Sequence, residues 1–193
     1  MRLVGLDPGL EGYACLLDVD MTALTPARFA HSPRFWAAPV TTSPRVGKEF
    51  TYDRAGMVEL AQEWRGLGVE AVALEEQQAF PGYGLKCPYC KKPKFQQGVA
   101  ASFQLGVGFG TWLGAIEAAG VRLVTPKPGE WKGIMGLSSD KSKSVAVAQR
   151  LAPGTDFRPL ERTKRARKPS HDKSEAYLLA RWLVGFMQRE ISQ

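Results

Sequence analysis

The chain opens with two short apolar runs separated by a turn. Residues 2–7 (RLVGLD) read as a strand and DPGLEG as a tight turn whose glycines supply positive φ. Residues 13–19 (YACLLDV) then read as a second strand, antiparallel to the first. A third strand is expected within 34–42, where Pro39 confines it to an edge or an end. Over 53–67 the spacing of Met57, Leu60, Ala61 and Trp64 marks one helical face, with Asp53 as a cap and Gly66 or Gly68 as a stop. The run VEAVALEE (69–76) is apolar on both faces, the pattern of a central parallel strand. An irregular segment at about 77–97 leads into a helical stretch at about 98–119 that is rich in small residues, among them Gly106, Gly108, Gly110 and Gly114. A strand at 121–125, helices at 129–136 and 140–152, a Pro-rich basic loop at about 153–170 and an amphipathic helix at 171–189 complete the chain. Early strands on short connections, followed by strand–helix alternation, predict a mixed α/β sheet covered by helices.

A length of 193 residues suits a single domain. No apolar run approaches the roughly 18 residues of a membrane span, the N-terminus lacks the pattern of a signal peptide, and three cysteines do not make a disulfide framework. The expectation is a cytoplasmic protein with no membrane partner. With 26 Lys+Arg against 19 Asp+Glu, the net charge of +7 suits a polyanionic partner.

Against that basic background, four carboxylates stand out by position. Asp7 ends the first strand, and Glu75, with Glu76 as the alternative register, ends the central one. Asp172 and Glu175 lie three residues apart on one face at the start of the last helix. Taken singly, each has an ordinary role: Asp7 in a turn, Asp172 and Glu175 as complements to a helix N-terminus. Together, at the ends of neighbouring elements, they would repel one another in one cleft and raise their own pKa values, a conflict that divalent cations remove. Mg²⁺ and Mn²⁺ prefer such oxygen donors, and a pair of them about 4 Å apart suits phosphodiester displacement.

The blocks LVGLDPGLEGYACLLD, VALEEQQAFPG, QGVAASFQLGVGFGTWLGAIEAAG, VTPKPGEWKGIMGLSSDKSKSVAVAQRLAP and HDKSEAYLLARW, in this order, resemble the RuvC-like Holliday junction resolvases of bacteria and bacteriophages. The DPG turn alone is also similar to that of sugar kinases and actin-like ATPases, which use two such domains. The resemblance implies an RNase H-like fold with a five-stranded sheet, a homodimer, two Mg²⁺ or Mn²⁺ ions and symmetrical nicking of four-way DNA junctions. It matches Asp7, Glu75, Asp172 and Glu175 to the catalytic, metal-holding positions, with Glu175 replacing the commoner Asp. His171 reads either as a further ligand or proton shuttle or as a solvated helix end.

DNA contacts are expected from the basic loop, which leads directly into the carboxylate helix and carries Arg158, Arg162, Lys164, Arg165, Arg167 and Lys168. Lys127, Lys132, Lys141 and Lys143 form a second basic set, and the resemblance marks Trp131, Lys132 and Lys141 as matching positions. Trp131 reads as a core residue or as a stacking platform. The resemblance also implies an aromatic wedge in the loop after Glu75, for which Phe80 is the candidate. Cys87-Pro88-Tyr89-Cys90 has the spacing of half a Zn²⁺ site; zinc shared across a dimer, a strained disulfide and an inert thiol pair all remain open. Cys15, inside a strand, reads as a small buried apolar residue.

Overall fold

A computed structural model of the chain describes residues 1–21, 28–29, 31–42, 50–77, 98–138, 140–160 and 168–192. Its strands are β1 (Arg2–Leu6), β2 (Tyr13–Asp20), β3 (Arg28–Phe29), β4 (Arg34–Ala37), β5 (Val40–Thr42), β6 (Phe50–Tyr52), β7 (Val69–Leu74) and β8 (Arg122–Val124). The helices are α1 (Arg54–Gly66), α2 (Val99–Ala118), α3 (Pro128–Ile134), α4 (Lys141–Leu151) and α5 (His171–Ile191).

The main sheet runs β3-β2-β1-β7-β8, with β4 sharing the free edge of β2 with β3. Antiparallel pairing at β1–β2, β2–β3 and β2–β4 gives way to parallel pairing at β1–β7 and β7–β8. Counting the two edge pieces as one position, this is the mixed five-stranded sheet of the RNase H-like α/β fold. The expected third strand is divided at Ala38-Pro39. Its first half pairs with β2 and its second with β6 in a separate hairpin, because Pro39 has no N–H to continue one ladder.

Side-chain alternation along the strands builds two cores. Leu3, Cys15, Leu17, Ala71 and Ala73 face α3–α5, where they meet Trp131, Ala176, Tyr177 and Ala180. Val4, Leu6, Val72 and Leu74 face α1 and α2, meeting Met57, Leu60, Ala61, Trp64, Trp112 and Ile116. Trp64 and Trp112 stack with ring centroids 5.6 Å apart, joining α1 to α2. Helix α1 buries the four residues its spacing marks, and Asp53 caps it by accepting from the Gly56 amide at 3.1 Å.

Two expectations need correction. Helix α2 is long and apolar enough, by length and composition, to cross a membrane, contrary to the expectation that no such run exists. Its apolar stretch is interrupted by Gly, Ser, Gln and Thr, yet it carries one charge, Glu117. The helix packs on the sheet through Gly108, Trp112, Ala115 and Ile116. In the turn after β1, neither glycine has positive φ, which occurs instead at Gly68, Gly120 and Gly136, and Gly12 serves space. A Cβ on Gly12 would stand 2.1 Å from the Asp7 carbonyl oxygen and 2.7 Å from that of Gly9.

Candidate active site

The register of the central strands sets the first two carboxylates side by side. Leu6 of β1 pairs with Leu74 of β7 in parallel, so Asp7 and Glu75 follow at the same, C-terminal edge of adjacent strands. The Glu75 amide donates to the Leu6 carbonyl at 3.2 Å and the Asp7 amide to the Tyr13 carbonyl at 3.0 Å, so both residues remain tied to the ladder. That edge is where α/β sheets present ligand sites.

Gly5 explains how the second pair reaches them. A Cβ there would lie 2.2 Å from the Ala180 amide nitrogen and 2.3 Å from the Ala176 carbonyl oxygen, so the α5 backbone rests directly on β1. Ala176 and Ala180 are fully buried in that contact. Ser170 caps the helix by accepting from the Lys173 amide at 3.3 Å, and the first turn then directs Asp172 and Glu175 toward the strand ends.

The electrostatics record the convergence. Asp7 is pushed up to about 8, first by burial, then by Glu75 and Asp172, with Glu175 adding to them; the Gly9 amide, 3.2 Å from Oδ1, works in the opposite direction. Burial also raises Glu75, opposed by Lys132 and by the Trp131 indole, which donates to Oε1 at 3.0 Å. Asp172 is raised by burial, with His171 and Lys141 holding it down. The Glu76 amide donates to the Pro126 carbonyl at 3.0 Å.

Of the basic residues expected to meet DNA, Lys132, Lys141, Lys143, Lys168 and Arg158 are among the described residues. Lys132 points into the carboxylates: its Nζ donates to Glu175 Oε2 at 2.9 Å and lies 3.4 Å from Glu75 Oε1. Ser144 of α4 donates to the other Glu175 oxygen at 2.9 Å. Lys141 Nζ is 2.8 Å from His171 Nε2, which is also 2.8 Å from Asp172 Oδ1. One ring nitrogen serves a single role at a time, accepting from the lysine or donating to the carboxylate. Lys143 is exposed on α4, and Lys168 stands exposed before α5. Arg158 pairs with Asp156 at 2.8 Å.

Trp131 is buried, as the core alternative expects, and its indole also orients Glu75. Neither this bond nor the Ser144 contact has a signal in the sequence, since the partners lie 56 and 31 residues apart. Cys15 is a buried free thiol raised by its burial. Phe80, Cys87, Cys90, Arg162, Lys164, Arg165 and Arg167 lie outside the described residues.

The donor chemistry fits hard divalent cations. Asp7, Glu75, Asp172 and Glu175 offer oxygen alone, and the charges of the other three add to the burial that raises Asp7. Among the described residues, no three His, Cys, Asp or Glu side chains are gathered into one metal-binding group.

No protein-family model matches the sequence, and no curated protein matches it. Among solved structures, the chain is similar to Thermus thermophilus RuvC in complex with a Holliday junction substrate, with a TM-score of 0.56 and 20% identity over 98% of this chain and 96% of that one. It is likewise similar to another structure of that RuvC, with a TM-score of 0.55 and 21% identity over 97% and 98% of the two chains. The likeness shows a common fold along nearly the whole length of both proteins.

Proposed function

We propose that this protein is a divalent-metal-dependent, structure-selective DNA endonuclease that resolves Holliday junctions and other branched DNA by paired nicks, acting as a cytoplasmic homodimer. The observation that carries the reading is that Asp7 feels the charges of Glu75, Asp172 and Glu175 at one end of a sheet whose fold is that of a RuvC bound to a junction. A positively charged chain with an acidic cleft suits that chemistry, because basic groups hold the flanking phosphates while the cleft receives the scissile one.

In this reading Asp7, Glu75, Asp172 and Glu175 would hold two Mg²⁺ or Mn²⁺ ions, Asp7 contributing to both, Glu75 to one and Asp172 with Glu175 to the other. When bound, the ions supply charge stabilisation for the attacking and leaving oxygens of an in-line displacement. The protein's own groups prepare the cleft. Trp131 holds Glu75 in one orientation, Ser144 holds Glu175, and Lys132 neutralises charge between them. His171, between Lys141 and Asp172, stands where a ring nitrogen can pass a proton to or from the cleft. Lys141, Lys143, Lys168 and the basic residues 162–167 contact DNA backbone, and Phe80 wedges against bases at the crossover.

Incubation of a labelled four-way junction, a matched linear duplex and an RNA–DNA hybrid with the protein in Mg²⁺, Mn²⁺ or EDTA tests this directly. Paired, metal-dependent nicks confined to the junction are expected. Cleavage of the hybrid alone would move the activity to the RNase H type, and junction binding without any cut would leave a non-catalytic junction-binding protein.

A further inference from the structure

Two recesses share the residues Leu10, Glu11 and Phe50. One, of about 150 Å³, also touches Tyr13, Pro159 and Asp172. The other is an open groove of about 710 Å³ that continues along Tyr52 and the α2 residues Ala100, Ala101, Gln104 and Leu105. Asp172 therefore links the carboxylate cleft to a largely apolar channel. The volume of the groove falls in the range of roughly 300–1,000 Å³ usual for sites that bind small organic groups.

The groove is built rather than incidental. Tyr52 donates its hydroxyl to the Pro8 carbonyl at 3.1 Å, directly behind Asp7. Its ring lies against Gly108 of α2, where a Cβ would come within 2.2 Å of the ring. Burial and the Asp7 carboxyl push the Tyr52 phenol up to about 12. Phe50 lies two residues earlier on the same strand and so on the same face, yet is 55% exposed. Among the described residues no aromatic ring is paired with Phe50, and an exposed ring beside the carboxylates can serve as a stacking platform.

The charge pattern selects the occupant. Among the described residues, the charged groups lining the two recesses are the carboxylates Glu11 and Asp172, whose sign disfavours a phosphate backbone. The exposed Glu11 and Gln104 instead offer an acceptor and an amide, the groups that read the exocyclic edges of bases. The geometry points to a nucleobase subsite: Phe50 stacks on an unpaired base of the cleaved strand next to the scissile phosphate, with Glu11 and Gln104 at the base edge. This inference rests on the nuclease reading and deepens it. Stacking makes cleavage depend on a base that has left the helix, which a junction provides and an intact duplex does not.

The test combines Phe50→Ala and Phe50→Trp with four-way junctions carrying single abasic sites at each of the three nucleotides on either side of the mapped nick. For the wild-type protein, one abasic position is expected to lower kcat/KM by roughly tenfold, a typical value for removing one base–aromatic stack. Phe50→Ala is expected to lose about the same on the intact junction and nothing more at that position, while Phe50→Trp retains the wild-type profile. Equal abasic penalties in wild type and Phe50→Ala would overturn the proposal. So would a change of oligomeric state in Phe50→Ala with an unaltered abasic profile, which would make the groove an interface between copies. If the wild-type protein binds junctions without cutting them, the catalytic reading fails, and the same scan read as affinity, centred on the crossover, still decides the Phe50 contact. Absence of any junction binding would overturn both.

Discussion

Lys132 donates to Glu175 across 2.9 Å, tying α3 to the helix that carries half of the carboxylate cluster. With Glu75 Oε1 at 3.4 Å, the ammonium is the cation that two partly buried carboxylates share in the metal-free protein. Replacing it by methionine keeps most of the volume and leaves the carboxylates uncompensated, an effect that exceeds the loss of an exposed ion pair. Lys132→Met is expected to destabilise the protein in EDTA by about 2 kcal/mol and to recover part of that loss when Mg²⁺ is added, as read by thermal denaturation with and without metal.

Asp7 sets the pH response of the metal-free fold. Its folded-state pKa of about 8 lies above the ordinary aspartate value of 3.8. A raised carboxyl contributes stability that is complete below about pH 4 and lost as pH climbs through about 8, since the folded state holds the proton more tightly than the unfolded chain. In EDTA the wild-type protein should therefore melt at a lower temperature at pH 9 than at pH 5. Asp7→Asn removes the charge, so it should flatten this dependence and raise Tm at pH 9 by about 5–10 °C, given roughly 2–4 °C per kcal/mol at this chain length. A variant at once more stable and inactive is the signature of a residue kept for chemistry.

Gly5 couples packing to the site. An added methyl meets α5 backbone at both the Ala176 carbonyl and the Ala180 amide, and neither can swing aside as a side chain would. Gly5→Ala should cost about 3 kcal/mol and, by lifting α5, carry Asp172 and Glu175 away from Asp7. Denaturant unfolding and junction cleavage measured on the same preparation check the two consequences together.

The basic loop makes a salt-dependent prediction. Lys173, buried in the first turn of α5, donates to the carbonyls of Asp156 and Arg158 at 2.7 and 3.0 Å, so the strand of chain entering the loop is anchored beside Asp172. Changing Arg162, Lys164, Arg165 and Arg167 to Gln should weaken junction binding and reduce the slope of log affinity against log salt by as much as about 0.9 for each phosphate no longer neutralised. Fluorescence anisotropy at several salt concentrations, with EDTA present, provides the measurement.

How much of this can be read from the chain follows from the range of each interaction. Strand ends and helix faces are local, so LEE at the close of an apolar run, or Met57-Leu60-Ala61-Trp64 around a helix, declare themselves in sequence order. Asp172 and Glu175 are legible for the same reason. The bridge from Lys132 to Glu75 and Glu175, the Trp131 bond and the packing of Tyr52 against Gly108 depend on elements far apart in the chain, and no periodicity marks them. Lys132 reads as a surface base in sequence because its partners are invisible there. Pro39 reads as a strand breaker, but the separate pairing of the two halves depends on β6, which the sequence pattern does not reveal.

Mapping the nicks made in a labelled four-way junction by wild-type protein and by Asp7→Asn, in Mg²⁺ and in EDTA, tests most directly whether the carboxylate cluster is a nuclease centre. Symmetrically paired nicks in the wild-type reaction with Mg²⁺, abolished by EDTA and by Asp7→Asn while junction binding persists, are expected. Nicks of equal rate in Asp7→Asn, or cleavage that survives EDTA, would contradict it.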